Sequence, residues 1–347
     1  MTSSGNSAWL DWMESLMGGV SRQSYAATFP PDHFYCVLDE LPLHLIPQPA
    51  LAALRRGDDR QTDLVLNPDC IFSSGGELPQ EFSEQRDLFS KFALQGTIAW
   101  VRNGAAGSFQ PFWLSPRLDS LLEGLRIKGR DASTLPKDVV SVLLRARILV
   151  SESEVSRRQA EWQAGVEKSR AMFREKGYAP LGGLIHPFHV AALRRYYRYL
   201  IRTGAVSLGD EQSSRRYVAY NEPVARFFHQ QIAGTLSAVA GEPLKPSYVY
   251  MASYLSGAEL RKHTDREQCE FSVTLCLDFS PEPALETPWP IRLETAAGEV
   301  AVYQALGDGL AYRGTRLPHY RDALREGQTS TSIFFHYVAA DFSGSLD

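Results

Sequence analysis

The chain has 347 residues, 44% hydrophobic and 22% charged, an ordinary globular composition with length for two domains. A net charge of −4 supplies no basic footprint for nucleic acid, and no apolar run reaches the length of a membrane span. The four cysteines, Cys36, Cys70, Cys269 and Cys276, lack CxxC spacing, so a zinc or disulfide framework is not expected and a reducing cytoplasm suits them.

Residues 1–25 read as a Ser/Gly-rich tail, with one apolar cluster (Trp9, Leu10, Trp12, Met13, Leu16) that docks on its own protein or on a partner. The N-terminus lacks a basic-then-apolar signal pattern. Residues 26–180 read as a mixed α/β accessory region. Within it, FYCVLDELPLHLI suggests a strand pair, PALAALRRG a short helix, and DLVLNP and TIAWVRNG further strands. A helix is expected after Pro116 and another from Pro136, followed by a β-like Ile148-Leu149-Val150. That order has the outline of a winged-helix module, read either as a grip on a peptide substrate or as packing for the other domain. His33 and His44 read as structural.

Ser151-x-x-Glu154 is a capping box opening a long helix that ends at Gly177. Val155, Trp162, Val166 and Phe173 form its apolar stripe, interrupted by Gln159, so partial cover is expected. The second domain is placed at 181–347. Pro187 starts a helix with Leu193, Tyr197, Leu200 and Ile201 inward and Arg194, Arg195, Arg198 and Arg202 on a solvated face. Asn221-Glu-Pro starts another, with Phe228, Ile232, Leu236 and Val239 inward and Gly241 as the stop. His186, His189 and His229 read as helix-surface or packing residues.

The remainder is a run of short strands divided by Gly, Pro and acidic turns, the pattern of a jelly roll or barrel. Tyr248 to Leu255 is rich in β-formers, and Phe271, Val273, Leu275, Leu277 and Phe279 alternate onto one face. Further strands are expected at 290–294, 299–304, 309–313 and 331–338. Between the first two lies His263-Thr264-Asp265. On an extended segment residues two apart point the same way, which sets an imidazole beside a carboxylate. With His319 from GDGLAYRGTRLPHYRD, they form a 2-His-1-carboxylate set suited to iron with positions left open. His336 reads as strand packing, and Cys269 and Cys276 as core residues.

This C-terminal half resembles the Fe(II)/2-oxoglutarate-dependent dioxygenases, in the style of the prolyl-hydroxylase-like branch. The resemblance covers roughly residues 181–347. It rests on Tyr254 nine residues before His263, on His263-x-Asp265, on Gly307-Asp308, and on His319, 54 residues after Asp265. It implies an α+β protein whose double-stranded β-helix (jelly-roll) barrel is braced by helices. It also implies Fe(II) on His263, Asp265 and His319, with 2-oxoglutarate and O₂ as co-reactants and hydroxylation of a C–H bond. Tyr254 matches a position that supports the cosubstrate carboxylate. The family places an Arg or Lys about ten residues after the second His, where this chain has Thr329. Arg321, two after His319 on a shared strand face, and Arg325 are the local substitutes, because an Arg fork suits a carboxylate. Thr329 and Thr331 can donate hydrogen bonds but carry no charge. The expected substrate is an amino-acid residue in a peptide or protein, or a small amino-acid-like molecule. Two other readings remain: a degenerate barrel acting as a binding module, and a cupin-like metal enzyme that does not use 2-oxoglutarate.

Overall fold

The computed structural model describes residues 24–55, 63–127 and 131–346. The expected N-terminal cluster at Trp9–Leu16 lies outside them. The first part of the chain is built on helix α1 (Gln48–Arg55), β1 (Val65–Leu66) and an antiparallel meander of β2 (Cys70–Ser73), β3 (Thr97–Asn103) and β4 (Ser108–Leu114). Helices α2 (Pro116–Arg126) and α3 (Lys137–Arg145) follow, and β5 (Leu149–Val150) pairs back onto β1. Helix α2 starts where it does because Ser115 Oγ accepts the Leu118 N–H at 3.2 Å and Pro116 gives up no needed donor.

Two expectations fail here. The stretch from Phe34 to Ile46 forms single bridges at Phe34 and Val37 and short 3₁₀ turns, not a strand pair. Pro42 and Pro47 withhold ladder donors, so its apolar residues are buried by turns. The winged-helix outline also fails. Only Leu149–Val150 follows the second helix, because Ser151 at once caps the long helix α4 (Glu152–Lys176), and the hairpin lies ahead of the helices.

Helix α4 ends at Gly177, whose φ of 77° is the left-handed geometry a helix stop requires. Of its expected stripe Phe173 is buried, Trp162 and Val166 are half-buried and Val155 is exposed, so cover increases towards the C-terminal end. The chain then enters β6 (Tyr178–Leu181), α5 (Pro187–Arg202), β7 (Ser207–Leu208), β8 (Arg216–Tyr220), α6 (Pro223–Ala240) and β9 (Leu244–Tyr254). The last strands are β10 (Leu260–His263), β11 (Phe271–Ser280), β12 (Ile291–Thr295), β13 (Gly298–Val302), β14 (Gly309–Arg313), β15 (His319–Arg321) and β16 (Thr329–Ala339).

These strands make two antiparallel sheets. One has seven strands in the order β6-β14-β11-β16-β9-β8-β7, and the other has four, β10-β15-β12-β13. Strand alternation divides the large sheet's side chains between its faces. Val249, Met251, Val273, Leu275, Ile333 and Phe335 turn to α5 and α6, where they share one core with Leu193, Phe228 and Leu236. Leu310 and Tyr312 turn the other way and pack with Ile291, Leu293 and Val302 of the small sheet. The helix-side core continues without a break into Phe34, Trp113 and Leu143 of the first part of the chain. The edge strand β6 spans position 180/181, so the seven-stranded sheet already begins before the expected domain boundary.

Two further readings change. Phe279 leaves the face of Phe271–Leu277 and joins Cys276 on the opposite side. A bulge between Cys276 and Asp278 shifts the alternation by one residue. Of the four α5 arginines expected on a solvated face, Arg198 and Arg202 are exposed, but Arg194 and Arg195 are not. Arg194 is fully buried and binds Asp278, Glu282 and the Leu45 carbonyl, while Arg198 also grips Asp278. Arg195 stacks on Tyr35 and donates to the His33 and Tyr35 carbonyls. No described helix is long and apolar enough to cross a membrane.

Candidate metal centre and its cavity

His263 ends β10 and His319 begins β15, and the two residues are direct partners in the antiparallel ladder. Their rings therefore lie together, with centroids 4.4 Å apart. Asp265 sits just past β10, its N–H held by the Gly314 carbonyl at 2.9 Å. Its Oδ1 lies 3.5 Å from Nε2 of each histidine, and one ligand atom from each of the three falls within 4.8 Å of the others.

The protonation pattern follows from the backbone. His263 Nδ1 is 2.7 Å from the Arg261 carbonyl and His319 Nδ1 is 3.0 Å from the Leu317 carbonyl. A carbonyl only accepts, so both Nδ1 atoms carry the proton and both Nε2 lone pairs face Asp265. Burial raises the Asp265 pKa, but donation from His263 and His319 in their doubly protonated forms, with a second proton on Nε2 where a metal would otherwise sit, outweighs it and holds the carboxyl well below the usual carboxylate range. The Asp265 hydrogen bond raises His263 in turn. Two neutral-capable imidazoles and a committed carboxylate are a donor set for a divalent cation of intermediate softness.

The three side chains line a cavity of about 460 Å³ between the sheets. Alternation supplies its walls: Tyr248, Tyr250 and Tyr254 from β9, Phe334 and His336 from β16, Tyr312 from β14. Arg216 of β8 also lines it and donates to the Tyr254 hydroxyl at 3.2 Å, its charge matched by Asp210, which Tyr250 also donates to. Arg216 was not anticipated, since nothing local distinguishes it from Arg215.

Arg321 does share the inward face with His319, and both are buried. It donates to the Trp289 carbonyl (3.2 Å) and Gln304 Oε1 (3.4 Å) and lies over the Trp289 ring. Its Nε is buried without a partner, and no carboxylate pairs with it among the described residues. Burial pushes its pKa down. The Ser332 hydroxyl is likewise buried and unpartnered, on the inward parity of β16 next to Phe334. Thr329 and Thr331 have the opposite parity, and Thr331 bonds Ser253 on the helix side at 2.8 Å. The position where the resembled family carries its basic residue thus does not face the cavity. Arg325 is exposed on the turn before β16 and is not brought to the site.

His186, His189 and His229 are packing residues. His189 donates to the Pro111 carbonyl and His229 to the His336 carbonyl.

No protein-family model matches the sequence, and no curated protein matches it. Among solved structures, a Pseudomonas putida prolyl-4-hydroxylase aligns at 16% identity over 49% of this chain and 98% of its own, with a TM-score of 0.41. The non-heme α-ketoglutarate-dependent epimerase SnoN from nogalamycin biosynthesis aligns at 15% over 51% of this chain and 82% of its own, with a TM-score of 0.43. HygX from Streptomyces hygroscopicus, solved with nickel, 2-oxoglutarate and hygromycin B, aligns at 12% over 50% and 88%, with a TM-score of 0.42.

Proposed function

We propose that this chain is a non-haem Fe(II)/2-oxoglutarate-dependent oxygenase that hydroxylates a C–H bond, and that its two facing sheets are a double-stranded β-helix. The observation that carries the reading is the convergence of two Nε2 atoms and one Asp265 oxygen on a cavity wall, together with a buried guanidinium that has no carboxylate partner among the described residues. His263, Asp265 and His319 are the metal ligands. Arg321 anchors the far carboxylate of 2-oxoglutarate, with the Ser332 and Tyr254 hydroxyls as supports. An unpaired buried cation is costly, and an anionic ligand that pairs with it relieves that cost.

When bound, iron and 2-oxoglutarate supply O₂ activation and the oxidising equivalents. The chain supplies the rest. The carbonyls of Arg261 and Leu317 fix the two imidazoles, so the ligand lone pairs are presented without reorganisation. The tyrosine-lined walls offer flat, apolar faces to the substrate. The substrate is an amino-acid-like group, free or in a peptide. The mouth supports this, because Tyr220 stacks near Tyr248 and the exposed Arg266 lies over the Tyr248 ring with a charge to offer a carboxylate. Residues 26–180 act as a brace, since their core is continuous with that of the large sheet.

The test is an anaerobic titration with Fe(II) and then 2-oxoglutarate, read by visible absorption, alongside succinate formation in air. His263→Ala and His319→Ala should lose iron while staying folded. Iron binding by His319→Ala equal to that of the unaltered protein would refute the ligand assignment.

A further inference from the structure

The second oxygen of Asp265, on the side away from the two imidazoles, sits in a cradle. Ser272 Oγ lies 3.0 Å from Asp265 Oδ2, 3.2 Å from the Cys269 carbonyl and 2.9 Å from His336 Nδ1. Gly314 closes the other side, where any Cβ would overlap both Oδ2 and the Cys269 carbonyl. Ser272 is 1% exposed and His336 6%, so bulk solvent does not reach these contacts.

A serine hydroxyl has one proton for three acceptor-capable neighbours. The ionised carboxylate is the strongest acceptor, since charge-assisted hydrogen bonds are about twice as strong as neutral ones, and it is also closer than the carbonyl. The proton therefore goes to Asp265 Oδ2. The remaining contact can then be a hydrogen bond only if His336 Nδ1 carries the imidazole proton and donates it to Oγ. Burial keeps this ring neutral, with its pKa brought down to about 4, so Nε2 is left bare. The ring is held in place by Tyr248, 4.7 Å away between centroids.

We propose that Ser272 and His336 are positioning residues for the metal centre, forming a one-way relay, His336 Nδ1–H to Ser272 Oγ–H to Asp265 Oδ2. The relay occupies Oδ2, so Asp265 offers the metal a single oxygen, Oδ1. It also discourages a second arrangement of ligand atoms that the structure contains: Asp265, Cys269 and His336 also lie within 4.8 Å of one another. The inference rests on the iron reading above.

The experiment is a Mn(II) titration of the full chain, with free ion counted by its EPR signal, on the unaltered protein, Ser272→Ala, Ser272→Thr and His263→Ala. Loss of a group that orients a metal ligand typically costs about 10–100-fold in metal affinity. Ser272→Ala should fall in that range with its unfolding transition kept, and Ser272→Thr, which keeps the hydroxyl, should recover most of the loss. Nitrogen-15 NMR of the unaltered protein should show the His336 proton on Nδ1, a readout that needs no variant to fold. Unchanged Mn(II) affinity in Ser272→Ala, or a proton on His336 Nε2, overturns the relay while leaving the metal site standing. Full binding by His263→Ala, or none by the unaltered protein, overturns the metal reading and the relay with it.

Discussion

Arg321→Met separates a ligand anchor from a structural arginine by the sign of two effects. The substitution keeps much of the side-chain length and removes the charge. In the ligand-free protein it forfeits two long hydrogen bonds, 3.2 Å to the Trp289 carbonyl and 3.4 Å to Gln304, and a contact 4.6 Å over the Trp289 ring. Those are worth roughly 2–4 kcal/mol together. It also abolishes the burial of a charge that has no carboxylate partner among the described residues, a cost of several kcal/mol. The two nearly cancel, so stability should stay within about 1 kcal/mol or rise. Binding of 2-oxoglutarate loses a charge-assisted pair, about 1.5–3 kcal/mol, or one to two decades in Kd. Urea unfolding of the metal-free protein reads the first quantity. Quenching of tryptophan fluorescence on the Mn(II)-loaded protein reads the second, with Trp289 against the guanidinium as reporter. A stability loss above about 3 kcal/mol with unchanged 2-oxoglutarate affinity would refute the reasoning, since a broken structural contact behaves that way.

Three more outcomes follow from the packing. Burial lowers the pKa of His186 and His229 to about 3 and of His189 to about 4, so the unfolded chain binds protons that the folded one refuses. Their stabilisation is full above the unfolded value near 6.5 and is lost as pH falls towards 3–4, at up to about 1.4 kcal/mol per group per pH unit. Urea midpoints at pH 7.5 and 5.5 check this, and equal midpoints would contradict it. Gly234→Ala gains about 0.8–1 kcal/mol of helix propensity in α6, but its Cβ would overlap the Ala106 carbonyl. Net destabilisation of about 1–3 kcal/mol is expected, and a raised Tm would show that the loop yields freely. A chain begun at Leu181 should show no cooperative unfolding, because it lacks most of β6 and the Phe34, Trp113 and Phe173 side of the shared core. A sharp urea transition in that fragment would show that the C-terminal half stands alone.

Much of this protein is written in short-range pattern. Ser115-Pro116, Ser151 and Gly177 mark helix ends because capping involves groups within four residues of one another. His-x-Arg announces a shared face because strand side chains alternate, whereas His-x-Asp reads the same way although Asp265 lies just past the end of β10, where the Gly314 carbonyl holds it. Those signals nominated His263, Asp265 and His319; the family resemblance nominated Arg321 and Arg325, of which only Arg321 shares the buried face. What they could not supply was partnership across the chain. Arg194 reads as a surface cation on its helix, and only the fold brings it to Asp278, 84 positions away. Phe279 keeps perfect alternation on paper, yet the bulge before Asp278 turns it to the other face. Ser272, Ser332 and His336 are unremarkable letters until β11 and β16 lie side by side and set their parity against the ligands. Periodicity is a property of one strand and can be read from it. Register, burial and the absence of a counter-ion are properties of two or more strands, and they exist only once the hydrophobic faces have chosen their neighbours.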